Sequence, residues 1–266
     1  MSAIFELPLA LLGLLILMLL LAAAEAGFRL GGAMAARDKT DTDHPEIGTI
    51  AAAMLGLLAL VIGFTFSMAL SRFDGRRGLV IEEANALGAT ARLAESLPEP
   101  QKTRFTALLP AYLKLRLDFF EDGMDEARLA ATYRDTAALQ ARLFAEAQSA
   151  AVLAPEQPAY AQLLQALNQA FALEAARRAA FEATIPQSVL WTLLAAASLC
   201  AGVLGYSGGL HQRRHLATQL VLYLLLAAVI LLIIDLDRPR RGAIRVSQAP
   251  MLRVIERIEG AKPNAR

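Results

Sequence analysis

Few side chains in this sequence stand at spacings that do chemistry. His211 and His215 are four apart, the spacing at which two imidazoles on one helix face share a metal ion. Gln212, Arg213 and Arg214 lie between them, and a polar turn is the simpler reading. His44 stands alone. Asp118, Glu121, Asp122, Asp125 and Glu126 gather around Gly123, but they do not fit the ligand spacing of an EF-hand loop. Acids favoured at a helix start explain that run. The one cysteine, Cys200, sits inside an apolar stretch, where a thiol is a small packing residue. HExxH, GxxxxGK[ST] and GxGxxG are all missing from the sequence. No catalytic constellation, metal set or cofactor box emerges, so the sequence argues against an enzyme. What remains is a charged stretch, Asp235-Leu236-Asp237-Arg238-Pro239-Arg240-Arg241-Gly242, and it follows directly on an apolar run.

The elements that would carry these residues are set by hydropathy. The chain has 266 residues, 56% hydrophobic and only 19% charged, against about a quarter charged in soluble domains. The apolar excess is concentrated in four uncharged runs: Leu7 to Ala24, Ile47 to Ser71, Ala183 to Leu210 and Leu216 to Ile234. A bilayer core of about 30 Å needs about 20 apolar helical residues, so each run is long enough to span. A soluble enzyme, a disulfide scaffold and a disordered chain are excluded; the expected class is an all-α integral membrane protein. Leu7 to Ala24 has a rival reading as a cleaved signal peptide, because small residues follow it. The only charge before that core is Glu6, however, and signal peptides open on a positive region.

Charge in the flanks orients the spans. The tail from Asp235 holds eight basic and four acidic residues, and Arg72, Arg76 and Arg77 follow the second run at once. Glu25 to Glu46 holds three basic residues among five acidic ones. The basic sides face the cytoplasm, which places both termini there. Over the whole chain, 26 basic against 25 acidic residues give +1, which marks no nucleic-acid partner. The expected organisation is two spans with a short external loop over 1–71, a helical cytosolic block over 72–182, two spans over 183–234 and a basic cytosolic tail over 235–266.

Within 72–182, helix formers dominate and no two-residue alternation is sustained. Breaks are expected at Leu97-Pro98-Glu99-Pro100, at Glu121-Asp122-Gly123 and at Pro155-Glu156-Gln157-Pro158, with Pro110 suggesting a kink. Leu129, Tyr133, Leu139, Leu143 and Phe144 recur at helical spacing, and so do Leu163, Leu164, Leu167, Phe171 and Phe181, as core or subunit-contact faces.

The second run ends Val61-Ile62-Gly63-Phe64-Thr65-Phe66-Ser67-Met68-Ala69-Leu70-Ser71-Arg72-Phe73-Asp74-Gly75-Arg76. Leu60, Phe64 and Met68 form one apolar stripe, and Gly56, Gly63 and Ser67 offer surfaces for close approach. Such a stripe faces lipid, a neighbouring helix or a pore. The segment resembles the bestrophins, a family of pentameric ion channels, in its Gly63-Phe64, Arg72-Phe73, Asp74-Gly75-Arg76 and Asn85. Thr184-Ile185-Pro186 at the third run and Asp235-Leu236-Asp237-Arg238-Pro239 after the fourth resemble that family's corresponding segments, as does the order of four spans around a helical block.

The resemblance implies a homo-oligomer, pentameric in that family, conducting small inorganic ions, chloride-type anions by default, and contacting membrane lipid. It implies a pore neck at Gly56, Leu60 and Phe64, where the family has three bulky residues; glycine at the first leaves nothing to narrow a pore. Bacterial relatives are not uniformly anion-selective, so the sign of the ion stays open. Arg240, Arg241 and Gly242 stand where animal members carry calcium-binding acids, so calcium binding is not carried over and no cofactor is expected. Arg72, Arg76, Asp235 and Asp237 are candidates for a paired cytosolic mouth, or for a headgroup anchor. The competing function is a membrane-anchored helical scaffold or sensor that does not conduct.

Overall fold

The computed structural model of the chain describes residues 7–37, 45–121, 126–214, 216–238 and 242–260. Every regular element among them is helical. In chain order these are α1 (Leu9–Arg37), α2 (Pro45–Ala94), α3 (Gln101–Glu121), α4 (Glu126–Leu153), α5 (Pro158–Glu182), α6 (Gln187–Leu210), α7 (Leu216–Asp237) and α8 (Ala249–Gly260). Four of them contain stretches long and apolar enough to cross a bilayer. The all-α, four-span architecture expected from the sequence is the one observed.

Helix ends differ from the apolar runs in ways the chain explains. α2 is a single helix of 50 residues that passes Ser71 without a break. No proline stands between Pro45 and Pro98, and helix formers resume after Arg77, so nothing stops it where its hydropathy changes. α1 continues past Ala24 to Arg37, with Arg29 Nε donating to Glu25 Oε1 one turn below at 2.9 Å. α3 runs through Pro110. The third span begins only at Gln187, because Pro186 occupies its N-cap. α6 ends in a Schellman turn: Gln212 adopts φ 54°, and the Arg213 N–H reaches the Gly208 carbonyl at 3.1 Å.

The described chain divides into two compact units. The first holds α1, α2 to Arg72, α6 and α7. Its densest contact is between α1 and α6, where side chains almost vanish. A Cβ on Gly27 would stand 1.9 Å from the Gly202 carbonyl oxygen, and one on Gly205 would stand 2.0 Å from that of Ala24. One on Gly31 would meet the Tyr206 oxygen at 2.2 Å, and one on Gly209 the Phe28 oxygen at 2.2 Å. Gly27 with Gly31 and Gly205 with Gly209 are thus two GxxxG steps brought backbone to backbone. Cys200 is buried in the same helix.

The second unit holds α2 from Phe73, α3, α4, α5 and α8. Leu87, Phe105, Leu109, Tyr112, Leu113, Leu143, Leu163 and Leu167 form its core. Leu139 and Phe171 pack against that core from partly buried positions. The tail expected to be merely basic contributes α8, whose Met251 and Val254 enter the same core.

Candidate functional site

The pore-neck candidates lie on a helix that buries only one narrow stripe. Ala51, Leu58, Thr65 and Ala69 are covered, and the Thr65 hydroxyl donates to the Val61 carbonyl at 2.7 Å, which satisfies it within its own helix. The opposite side is open. Leu60 is 54% exposed and Phe64 68%, two large apolar side chains one turn apart with no cover from their own protomer. A Cβ placed on Gly56 or Gly63 would meet nothing within 4 Å. The sequence assigned close approach to Gly56 and Gly63; within the protomer that role falls instead to the glycines of α1 and α6. Their GxxxG spacing was the signal that sequence reading passed over.

Three of the four mouth candidates, Arg76, Asp235 and Asp237, bond to backbone. Arg76 is buried in the second unit, with Nε donating to the Ala180 carbonyl at 3.0 Å and Nη2 to that of Ala183 at 2.9 Å. A cation there answers the orphan carbonyls and the negative end of the α5 dipole. Arg72 stands half-buried at the last residue of the first unit. In that first unit Asp237 receives the Ile185 N–H on both carboxylate oxygens, and Asp235 receives those of Ala243 at 2.9 Å and Ile244 at 3.1 Å. Arg238 Nη1 donates to the Leu7 carbonyl at 2.8 Å. Asp235, Asp237 and Arg238 are all buried. Gly242 permits the fold-back, since a Cβ there would lie 2.6 Å from Asp235 Oδ1. Pro239, Arg240 and Arg241, the rest of that charged stretch, lie outside the described residues.

A second polar group escaped sequence reading. Inside the second unit, Glu83 of α2 accepts from Arg116 Nε at 2.7 Å and from Arg177 Nη1. Glu174 stands 3.6 Å from Arg116 Nη1, and Arg177 Nη2 donates to Gln248 Oε1 at 3.1 Å. Glu83, Arg116 and Arg177 are fully buried. Burial opposes the Arg116 charge, yet the Glu83 carboxylate holds its pKa above the ordinary value. For Arg177 burial prevails and the pKa is lowered. Removing one partner from such a group costs about 3–5 kcal/mol, because it strands the other charge. The only sequence signal was a set of charges at otherwise apolar helix positions.

The remaining candidates separate from this chemistry. His211 follows the last residue of α6, its Nδ1 lying 2.8 Å from the Ser207 carbonyl oxygen, and His215 lies outside the described residues. The acidic run likewise extends over 122–125, which are not described. Among the described residues no three His, Cys, Asp or Glu side chains come together as a metal set. Glu25 also meets Arg214 at 3.3 Å, and that guanidinium lies 4.1 Å from the Phe28 ring centroid.

Four apolar helices, with a helical unit inserted between the second and third, define a polytopic membrane protein. The bestrophin-like domain matches residues 18–251, and the chain belongs to that family. A crystal structure of a bacterial bestrophin homologue from Klebsiella pneumoniae, bearing a mutation, is similar at TM-score 0.64 and 16% identity, over 91% of this chain and 97% of that one. Another variant of the Klebsiella pneumoniae homologue gives TM-score 0.61 and 18% identity over the same shares. A crystal structure described as a membrane protein gives 0.63 and 16%, over 91% and 96%. No curated protein is similar in sequence.

Proposed function

We propose that the protein is a homo-oligomeric ion channel, a pentamer of the bacterial inner membrane with both termini cytoplasmic, in which copies of α2 surround the conduction path. One observation carries this reading: Leu60 and Phe64 hold an apolar stripe uncovered within a span that already buries its other side. Turned toward a symmetry axis, Gly56, Leu60 and Phe64 form an apolar neck that opens by wetting. Glycine at 56 makes the neck effectively two rings deep. The basic flanks support the orientation.

Arg72, Arg76, Asp235 and Asp237 frame the cytosolic mouth in this reading. The support is that Arg76, Asp235 and Asp237 direct their charge onto backbone groups, which fixes shape rather than meeting ions. Small inorganic ions are the conducted species; an anion is what the family resemblance implies, and the partial positive edges of Phe64 suit one.

Native mass measurement in detergent tests the assembly, and a ring of copies is the expected result. Bilayer recordings then test the neck: wild type carries current, and Phe64→Ala raises the leak severalfold. A monomer or dimer, or silence from both proteins, overturns the channel and leaves an anchored helical scaffold.

A further inference from the structure

Helices α3 and α4 run antiparallel in the second unit, and three contacts fix their register. Tyr112 meets Gln140 through a 3.2 Å hydrogen bond, the Phe119 and Tyr133 rings stand 5.8 Å apart, and Leu109 and Leu143 share the core. Each step forward along α3 is matched by an equal step back along α4. By that register Arg116 stands opposite Thr136, between the polar pair and the ring pair.

Both residues are buried, Arg116 at 1% exposure and Thr136 at 3%. Arg116 Nε donates to Glu83 and Nη1 stands 3.6 Å from Glu174, but Nη2 finds no hydrogen-bond partner among the described residues. Neither does the Thr136 hydroxyl. The Thr65, Thr90 and Thr106 hydroxyls each donate to the carbonyl four residues back in their own helices, and Thr136 makes no such bond. The Phe119 ring, 5.3 Å from Arg116 Cζ, offers a π face but no lone pair. Two buried polar groups facing each other without protein partners are the setting in which a small polar molecule is held between helices.

We infer that an ordered water molecule bridges Arg116 Nη2 and Thr136 Oγ1 inside the second unit. The bridging group must accept from a guanidinium N–H and pair with a hydroxyl, and charge selects among those that can. Glu83 and Glu174 already balance Arg116 and Arg177, so a halide or carboxylate would bring an uncompensated negative charge beside two buried acids. Water brings none. It accepts from Arg116 Nη2 and donates to Thr136 Oγ1. Its second lone pair suits the Tyr112 hydroxyl, which accepts from Gln140 and keeps its own proton to give, one turn from Arg116. The bridge ties α4 to the ion group that joins α2, α3 and α5. Every residue involved belongs to the second unit, and conduction plays no part in the assignment.

Thermal unfolding of the full chain in detergent tests the bridge. Thr136→Val keeps the shape and removes the hydroxyl. If nothing bridges, that change removes a stranded polar group and raises the unfolding temperature. With the bridge, Arg116 loses its connection and the temperature is expected to fall by about 3 °C or more. Thr90→Val is the comparison: a buried threonine of the same unit that bonds only within its own helix, expected to leave the temperature unchanged or raised. A rise for Thr136→Val, or equal shifts for the two variants, overturns the inference. High-resolution crystallography of the wild type grown in bromide gives a direct reading. Oxygen-sized density within about 3.2 Å of both atoms, with no anomalous signal, is the expected result. A bromide peak at that position, a direct bond between Arg116 and Thr136, or no density between them overturns it.

Discussion

Asp237, the last residue of α7, receives the Ile185 N–H on both carboxylate oxygens, at 2.9 and 3.1 Å. Both residues are fully buried. The bond reaches across 52 residues to the segment where Pro186 delays the start of α6. An extended stretch there has no helical partner for its amide, and the carboxylate provides one.

Removing that acceptor should therefore cost more than a surface change. Asp237→Ala is expected to destabilise the protein by about 2 kcal/mol, the penalty of a buried N–H left without its charged partner. Asp237→Asn keeps an acceptor oxygen in the same place and should recover at least half. Thermal unfolding in detergent measures both; equal losses for the two variants would dismiss the bond as the cause.

Tyr112 supplies a pH prediction. Its ring is fully buried in the second unit, and its hydroxyl accepts from Gln140 Nε2 at 3.2 Å. Burial raises its pKa well above the ordinary 10.0, with Arg116 opposing in part. A raised acid stays neutral in the fold while the unfolded form ionises. Its contribution to stability is therefore complete below pH 10 and declines as pH rises above it. Tyr112→Phe should flatten the fall in unfolding temperature above pH 10 relative to wild type. Parallel curves for the two proteins would contradict this.

Glycines predict a contrast between two positions of identical chemistry. Gly205→Ala drives a methyl to 2.0 Å from the Ala24 carbonyl oxygen, and that neighbour is backbone, so α1 and α6 must separate. The expected loss is about 3 kcal/mol, with less monodisperse protein recovered from the membrane. Gly56→Ala meets nothing within 4 Å and should leave stability within about 0.5 kcal/mol of wild type. Comparable losses at the two sites would refute the contrast.

The sequence made the spans and the proline-marked breaks legible, because length without charge and the loss of a backbone donor are local properties. Pro98 and Pro158 each stand beside a helix boundary that was expected, whereas Pro186 moves the start of the third span from the expected Ala183 to Gln187. The length of α2 was not legible: Arg72 to Arg77 look like a boundary in hydropathy, yet nothing there prevents another turn. α8 was hidden because a short helix among basic residues resembles a solvated tail until Met251 and Val254 find a core. The mouth residues show the same limit. Asp235 and Asp237 stand out by charge, but which amides they accept from depends on where the chain folds back. Glu83, Arg116 and Arg177 come together from three helices, and no spacing within one helix announces such a meeting.

The glycine contact between α1 and α6 bears on how the protein is made. Gly27 and Gly205 are separated by about 180 residues of synthesis. At about 5–20 residues per second, α1 waits on the order of ten seconds or more in the bilayer before its counterpart leaves the ribosome. Throughout that interval its bare glycine ridge is available to any other helix that drifts past. Biogenesis thus has a vulnerable window, closed only when the late-arriving α6 claims the ridge, and chains that stall before it are natural substrates for membrane quality control.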